Sequence, residues 1–203
     1  MKLYYKPGAC SLASHIALHE IGAAFEIEAV DTDAARTENG TDYACINPKG
    51  YVPALQFDDT QVLTEGPAIL QYLADAYPKA GLAPSAGSME RARMLELLTF
   101  VSSELHKAFG PLFRASASED EKTNARNTVA GKFDTAEAML SDGRETIVPG
   151  SFTIADAYLF VVANWANFTG IGLDAWPRLA AFVERVSKRP AVQRAMKAEG
   201  LIG

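Results

Sequence analysis

Long apolar runs, a basic excess and cysteine are what this sequence has least of, and each shortage closes off a class of protein. No run is long enough to span a bilayer, and Lys6, Pro7 and Gly8 interrupt any signal-like apolar stretch near the start. The expectation is a chain that starts at Met1 in the cytoplasm and takes no membrane as a partner. Acidic side chains outnumber basic ones, 25 to 19, for a formal charge of −6. A phosphate backbone needs a basic surface, so no nucleic acid is expected either. Two cysteines, Cys10 and Cys45, make no disulfide framework and suit a reducing compartment. Ala13 stands where a C-x-x-C pair would put its second thiol, which disfavours a dithiol oxidoreductase. Repeats and low-complexity segments are missing too. Nothing points to disorder, because 48% of the residues are apolar and only 22% charged. At 203 residues the chain can bury a sizeable core, in one large domain or two small ones.

What is present is organised around residues 3–21. Leu3-Tyr4-Tyr5-Lys6 is a short β-rich segment and Pro7-Gly8-Ala9 breaks it. Cys10-Ser11 then opens a run through Leu12, His15, Ile16 and His19 with the spacing of an amphipathic helix. Cys10 thereby falls at or just before a helix N-terminus. Unpaired amides and the positive end of the helix dipole lower a thiol pKa of about 8.5 toward neutrality there. The competing reading is a buried cysteine that only packs. Ser11 beside it is either a polar site group or a helix cap.

Residues 25–30 alternate with period two and predict a strand. A polar stretch follows, with a short helix expected around 42–46 in which Cys45 packs. Asn47-Pro48-Lys49-Gly50 predicts a turn, Tyr51 through Phe57 a strand with Pro53 near its start, Asp58-Asp59-Thr60 a turn, and Gln61-Val62-Leu63 the returning arm of a hairpin. Thr64-Glu65-Gly66-Pro67 opens a helix with Ile69, Leu70, Leu73 and Tyr77 on its apolar side. Its start, with the Gly66 amide unobstructed, can hold a carboxylate, or can be an ordinary helix start beside a solvated Glu65. The order βαβαββα over residues 1–77 is an α/β layer with a small mixed sheet.

Pro78, Gly81, Pro84 and Gly87 mark the best boundary in the chain, and no strand pattern follows it. Ser88 can cap a long helix to about residue 114, bent or broken near Gly110-Pro111, with Leu98, Val101, Leu105, Phe109 and Leu112 as its apolar stripe. Thr99, Ser103, His106 and Lys107 form a polar stripe on another face, either a solvated surface or a site. Further helices are expected over 119–140, from Thr153, from Trp176-Pro177 and after Pro190. Thr153-Ile154-Ala155-Asp156 has the spacing of a capping box, a structural motif.

Five stretches in order, Pro7-Gly8-Ala9-Cys10, Asn47 through Pro53, Leu63 through Ile69, Ser103-Glu104-Leu105-His106-Lys107 and Thr153 through Phe160, together with the ending Ala198-Glu199-Gly200-Leu201-Ile202, resemble the bacterial beta-class glutathione transferases over the whole chain. The resemblance implies an α/β N-terminal thioredoxin-like domain (βαβαββα) plus an all-α C-terminal helical domain. Glutathione binds to residues 1–80, residues 81–88 link, and residues 89–203 form the helical domain with a hydrophobic substrate pocket. It also implies homodimers with the active site between the domains and near the subunit interface.

Carried over by position, Cys10 sits beside the glutathione sulfur. Val52, before what would be the cis-proline Pro53, pairs with the cysteinyl backbone. Glu65 and Gly66 hold the γ-glutamyl end. His106 and Lys107 face the thiol and the glycyl region, while Ser103 and Glu104 reach the neighbouring subunit's site. Three positions depart from the pattern: Gly66 lacks the serine hydroxyl many relatives have, Thr99 replaces an asparagine, and Arg36 stands near where a lysine is usual.

The implied activity adds the thiolate of glutathione, a co-substrate, to small electrophilic, aromatic compounds, without a metal. Ala9, Phe113, Trp165 and Phe168 line the apolar side, unless they are ordinary core. Trp165 is the preferred one because an amphipathic ring suits a half-open pocket. The rival readings are reductive dehalogenation or mixed-disulfide reduction through Cys10, and a non-catalytic carrier of glutathione or hydrophobic ligands.

Overall fold

Leu3, Tyr4 and Tyr5 are buried in succession in β1, Lys2–Tyr5, as suits a central strand covered on both faces. It pairs in parallel with β2, Glu26–Asp31. β3, Arg36–Thr37, lies beyond β2. On its other side β1 pairs antiparallel with β4, Ala54–Gln56, and β4 with β5, Val62–Thr64, giving the order β3-β2-β1-β4-β5. Register sets Leu3 opposite Ile27 on one side and Leu55 on the other. This computed structural model describes residues 1–57 and 61–203, so the turn expected at Asp58-Asp59-Thr60 lies outside the described residues. The strand expected from Tyr51 begins only at Ala54, because Pro53 cannot donate to a ladder; the Val52–Pro53 peptide is cis.

A parallel pair needs a crossover, and α1, Ser11–Glu20, provides it. The helix is not amphipathic as its spacing suggests: Ser11 through Leu18 are all buried. Besides the sheet, α2, Gly66–Ala76, and α10, Pro190–Ala198, lie against it. The short helix expected around 42–46 is one 3₁₀ turn, Tyr43–Cys45, whose Asp42 carboxylate accepts from the Ala44 amide at 3.1 Å. Tyr43 fills the core while Cys45 is exposed, so the packing role expected of Cys45 does not hold.

Contacts divide the chain into Met1–Ala83 with Lys188–Gly203, and Pro84–Ser187. The last 16 residues, which the sequence places at the end of a helical domain, therefore group with the sheet. Ala191, Val192 and Ala195 give α10 a small, buried apolar face, and the Glu199 carboxylate beyond it is bonded within the first unit.

The second unit is all helix. Ser88 Oγ accepts from the Arg91 amide at 3.1 Å and starts α3, Met89–Phe100. A π-helical turn, Val101–Leu105, leads into α4, His106–Ala108, and α5, Gly110–Phe113. Leu98, Val101, Leu105 and Phe109 are buried along it; Leu112 is half-buried. A full capping box at Ser118 and Glu121 opens α6, Glu119–Met139, which buries Val129, Phe133 and Ala136. α7, Ile154–Asn164, is buried through Ala163 and runs through the middle of the unit. Asp156, its early carboxylate, accepts from the Thr153 amide at 2.9 Å, Thr153 Oγ1 at 2.7 Å and the Ile147 amide at 2.7 Å. α8, Ala166–Thr169, and α9, Pro177–Ser187, complete the unit. Among the described residues, no helix is long and apolar enough to cross a membrane.

Candidate functional site

The turn between β1 and α1 is built by its own backbone and by Ser11. Ser11 Oγ accepts from the Lys6 amide at 3.2 Å and donates to the Lys6 carbonyl at 3.3 Å, fully buried. Its alternatives thus resolve into a brace for the turn. Cys10 is the residue before α1, with helical angles (φ −58, ψ −22) and no capping bond from its side chain. It is half-exposed, and its Sγ lies 3.4 Å from the Val52 carbonyl oxygen. In this contact the thiol is the donor and the carbonyl oxygen the acceptor.

The helix start does less for an anion than the sequence suggests. The Leu12 and Ala13 amides are bonded to the Ala9 and Cys10 carbonyls at 3.0 and 3.2 Å. Across from the thiol, the Asn47 side-chain amide donates to the Tyr51 carbonyl at 2.6 Å, and Tyr43 OH donates to the same oxygen at 3.2 Å. This loop delivers Val52 and Pro53, both buried, to the thiol. The Val52 amide has no protein partner among the described residues. Ala9 packs half-buried against the cluster of Tyr4, Val30, Tyr43, Val52 and Ala54, as core rather than open pocket.

Glu65 precedes α2 with φ +71, a conformation L residues rarely take, and its side chain makes no capping bond. Instead its Oε1 accepts from Lys49 Nζ at 2.6 Å and from Tyr51 OH at 2.6 Å, while Lys49 Nζ also reaches Thr64 Oγ1 at 3.1 Å. The hydrogen bond to Glu65 raises the pKa of both Lys49 and Tyr51. Sequence reasoning placed Lys49 and Tyr51 only in a turn and a strand. Their one signal was position, in the loop ahead of Val52. Gly66, next to Glu65, is open: a Cβ built there would stand 3.8 Å from Pro53 Cγ, an ordinary contact.

In the second unit, α4 carries His106 half-buried. Its Nδ1 is 2.7 Å from Tyr158 OH, and its ring stands edge-on to Trp165, 4.9 Å between centroids. Burial, with help from the Lys107 charge, lowers its pKa to about 4. The ring is therefore neutral near pH 7 and can act through an N–H, not through charge. Trp165 is buried at 6% exposure, against the half-open placement the sequence suggests. It is the centre of an aromatic group with Phe109 and Phe113, 5.5 and 5.1 Å away. The exposed rings are Phe113 and Phe168, at 56% and 73%.

Lys107 faces elsewhere on the helix, lining an open cleft of about 330 Å³ with Pro111, Glu121, Asn124 and Thr128. Ser103 Oγ donates to the Thr99 carbonyl at 2.9 Å, and Glu104 pairs with Lys132 at 2.8 Å. Arg36, exposed in β3, donates to the Gly40 carbonyl at 3.2 Å. Among the described residues, no three His, Cys, Asp or Glu side chains are grouped to hold a metal.

Known proteins match this arrangement from end to end. The family described as "Glutathione S-transferase, N-terminal domain" matches residues 1–75, and "Glutathione S-transferase, C-terminal domain" matches residues 100–190. A glutathione S-transferase of Escherichia coli O157:H7 is 48% identical over 201 residues, covering 99% of this chain and 100% of that one. Two solved structures superpose on the whole chain at 46% identity, with 100% of each chain covered. The beta-class glutathione S-transferase of Sphingomonas chungbukensis has a TM-score of 0.96. A sphingomonad glutathione S-transferase complexed with glutathione has 0.95. Both halves are matched in order, at identities far above what a shared fold alone requires, and so the chain belongs to the bacterial beta class of glutathione S-transferases.

Proposed function

We propose that glutathione lies on the first unit with its sulfur at Cys10, its cysteinyl backbone along Val52 ahead of Pro53, and its γ-glutamyl end at Glu65 and Gly66. The chain is a glutathione transferase, an enzyme that joins the sulfur of glutathione to small electrophilic compounds. The Val52 backbone carries this seating. Among the described residues its amide has no protein partner and its carbonyl accepts only from the Cys10 thiol, so an extended peptide alongside satisfies both groups. When the cysteinyl amide of glutathione donates to the Val52 carbonyl, the Cys10 S–H is released. It can then donate to the glutathione thiolate, keeping its own proton.

The family pattern assigns His106 to the sulfur, through a ring N–H, and Lys107 to the glycyl carboxylate, for which the Lys107 side chain has to turn from the α6 side of its helix. Phe113 and Phe168 offer the electrophile apolar surface, backed by Trp165, and Ala9 packs behind Cys10. Holding the two reactants together removes much of the bimolecular entropy cost. Ser103 and Glu104, both exposed, are assigned to the other subunit's glutathione in a homodimer. A cytoplasmic location fits two cysteines that form no disulfide. Residues 1–80 are taken as the glutathione-binding domain, 81–88 as the linker and 89–203 as the chain of the helical domain, with its last helix returned to the sheet.

The test is Cys10→Ala. Conjugation of a chloro-dinitrobenzene should persist with a loss of about 10- to 150-fold, the contribution of one hydrogen bond to a charged sulfur. Dehalogenation or mixed-disulfide reduction through Cys10 would vanish instead. Calorimetry showing no affinity of the folded wild-type protein for glutathione would refute the seating altogether.

A further inference from the structure

Glutathione's γ-glutamyl end is a free amino acid head, a carboxylate and an ammonium on one carbon. Glu65 can answer only the ammonium, and the Gly66 amide at the start of α2 offers the carboxylate one donor but no full charge. Beside it the loop 47–51 holds an oppositely charged group at fixed distance: Lys49 Nζ is 2.6 Å from Glu65 Oε1 and 3.1 Å from Thr64 Oγ1. An ammonium has three N–H donors. Two are engaged by these oxygens, which fixes the third, and half of the Lys49 side chain surface faces solvent. On the same carboxylate oxygen the Tyr51 phenol donates from 2.6 Å, so Glu65 is held from two sides. None of these bonds does the work of a helix cap, since the Glu65 side chain makes no capping bond.

We infer that Lys49 binds the α-carboxylate of the γ-glutamyl residue while Glu65 binds its ammonium, the Lys49–Glu65 pair matching the zwitterion charge for charge, with Tyr51 as the positioning residue that aims Glu65. The inference rests on the assignment of the γ-glutamyl end to Glu65. Exposed pairs of this kind contribute little to folding. Their geometry matters when a ligand with the complementary pair of charges displaces water from both.

The experiment compares three thiols by steady-state kinetics: glutathione, its decarboxylated form γ-aminobutyryl-cysteinyl-glycine, and glutaryl-cysteinyl-glycine, which has the carboxylate but no amino group. Lys49→Met should raise KM for glutathione about tenfold at unchanged kcat, the loss of one charge-assisted contact. It should penalise the decarboxylated thiol clearly less than glutathione, because Tyr51 still holds Glu65, and Lys49→Arg should restore glutathione to within about twofold. Tyr51→Phe should raise KM for glutathione and the decarboxylated thiol alike, spare the glutaryl thiol and leave kcat unchanged. Glu65→Gln, the control, should weaken glutathione and spare the glutaryl thiol. If Glu65→Gln behaves so but Lys49→Met penalises the decarboxylated thiol as much as glutathione, the role of Lys49 is overturned and that of Glu65 stands. If Tyr51→Phe leaves every KM unchanged, Tyr51 does not position Glu65. If Glu65→Gln affects neither thiol, the assignment of Glu65 is lost and the inference falls with it.

Discussion

Glu199 offers the sharpest test of how the turn before Cys10 is held. Its Oε2 accepts from the Gly8 amide at 2.9 Å and its Oε1 meets His15 Nδ1 at 2.9 Å, with the two side chains 0% and 1% exposed. Leu201 closes the same corner: a Cβ on Gly8, already at φ +70, would stand 3.4 Å from Leu201 Cδ2. Glu199→Ala removes the acceptor of both bonds and leaves a buried imidazole nitrogen without its partner. A hydrogen bond to a charged group contributes about 1.5–3 kcal/mol, so the expected loss for two is about 3–6 kcal/mol. In a chain of this length each kcal/mol moves the melting midpoint by about 2–4 °C, which places the fall at roughly 6–24 °C.

Glu199→Gln keeps the volume and an oxygen for Gly8 and should lose about 1–2 kcal/mol. Both losses are read by urea denaturation followed by circular dichroism. Gly8 is two residues from Cys10, so glutathione KM should also rise in the alanine variant. A loss below about 1 kcal/mol for Glu199→Ala would refute the reasoning, as would additive costs for Glu199→Ala and His15→Ala, since contacting partners must couple.

His19 and His106 both have pKa values lowered to about 4, chiefly by burial. Between about 4 and 6.5 the unfolded chain binds protons at these rings and the folded one does not, so stability should fall as pH drops through that window. The urea midpoint should track this, and replacing both histidines by Phe should flatten the slope; a flat wild-type profile would refute it. Gly66→Ser fits beside Pro53 without a clash. By offering one more hydroxyl, worth about 1 kcal/mol, it should lower glutathione KM about fivefold, and a raised KM would count against Gly66 as part of the seat. Trp165→Ala should cost about 3–5 kcal/mol in denaturant, because the indole is enclosed by His106, Phe109 and Phe113. A loss under about 1 kcal/mol would show that Trp165 lines open surface after all.

The features that were legible in the sequence are those whose causes are local. Ser88 and Thr153 announce their helices because a cap acts within one turn. The turn at Cys10 and the loop before Val52 follow from Pro, Gly and Asn within a few residues of each other. Burial set by distant partners was misread. The spacing in α1 suggests one wet face, yet α10, some 170 residues on, covers it. Trp165 has the amphipathic ring of a pocket residue, but the rings of His106, Phe109 and Phe113 close over it. Charges behaved the same way. The sequence leaves Glu65 either solvated or part of a site, and does not show that Lys49 and Tyr51, which no periodicity marks, fold back onto it across a loop.

Nothing in the spacing around Glu199 marks it as a core residue, yet its side chain is fully buried. The pattern has a physical reason. A sequence window reports the propensity of its own backbone, while desolvation depends on what the rest of the chain places on top. Here the turn before Cys10 takes its shape from the first and its anchorage from the second. Substitutions in the tail, far from Cys10 in sequence, should therefore change the thiol's surroundings as surely as substitutions beside it.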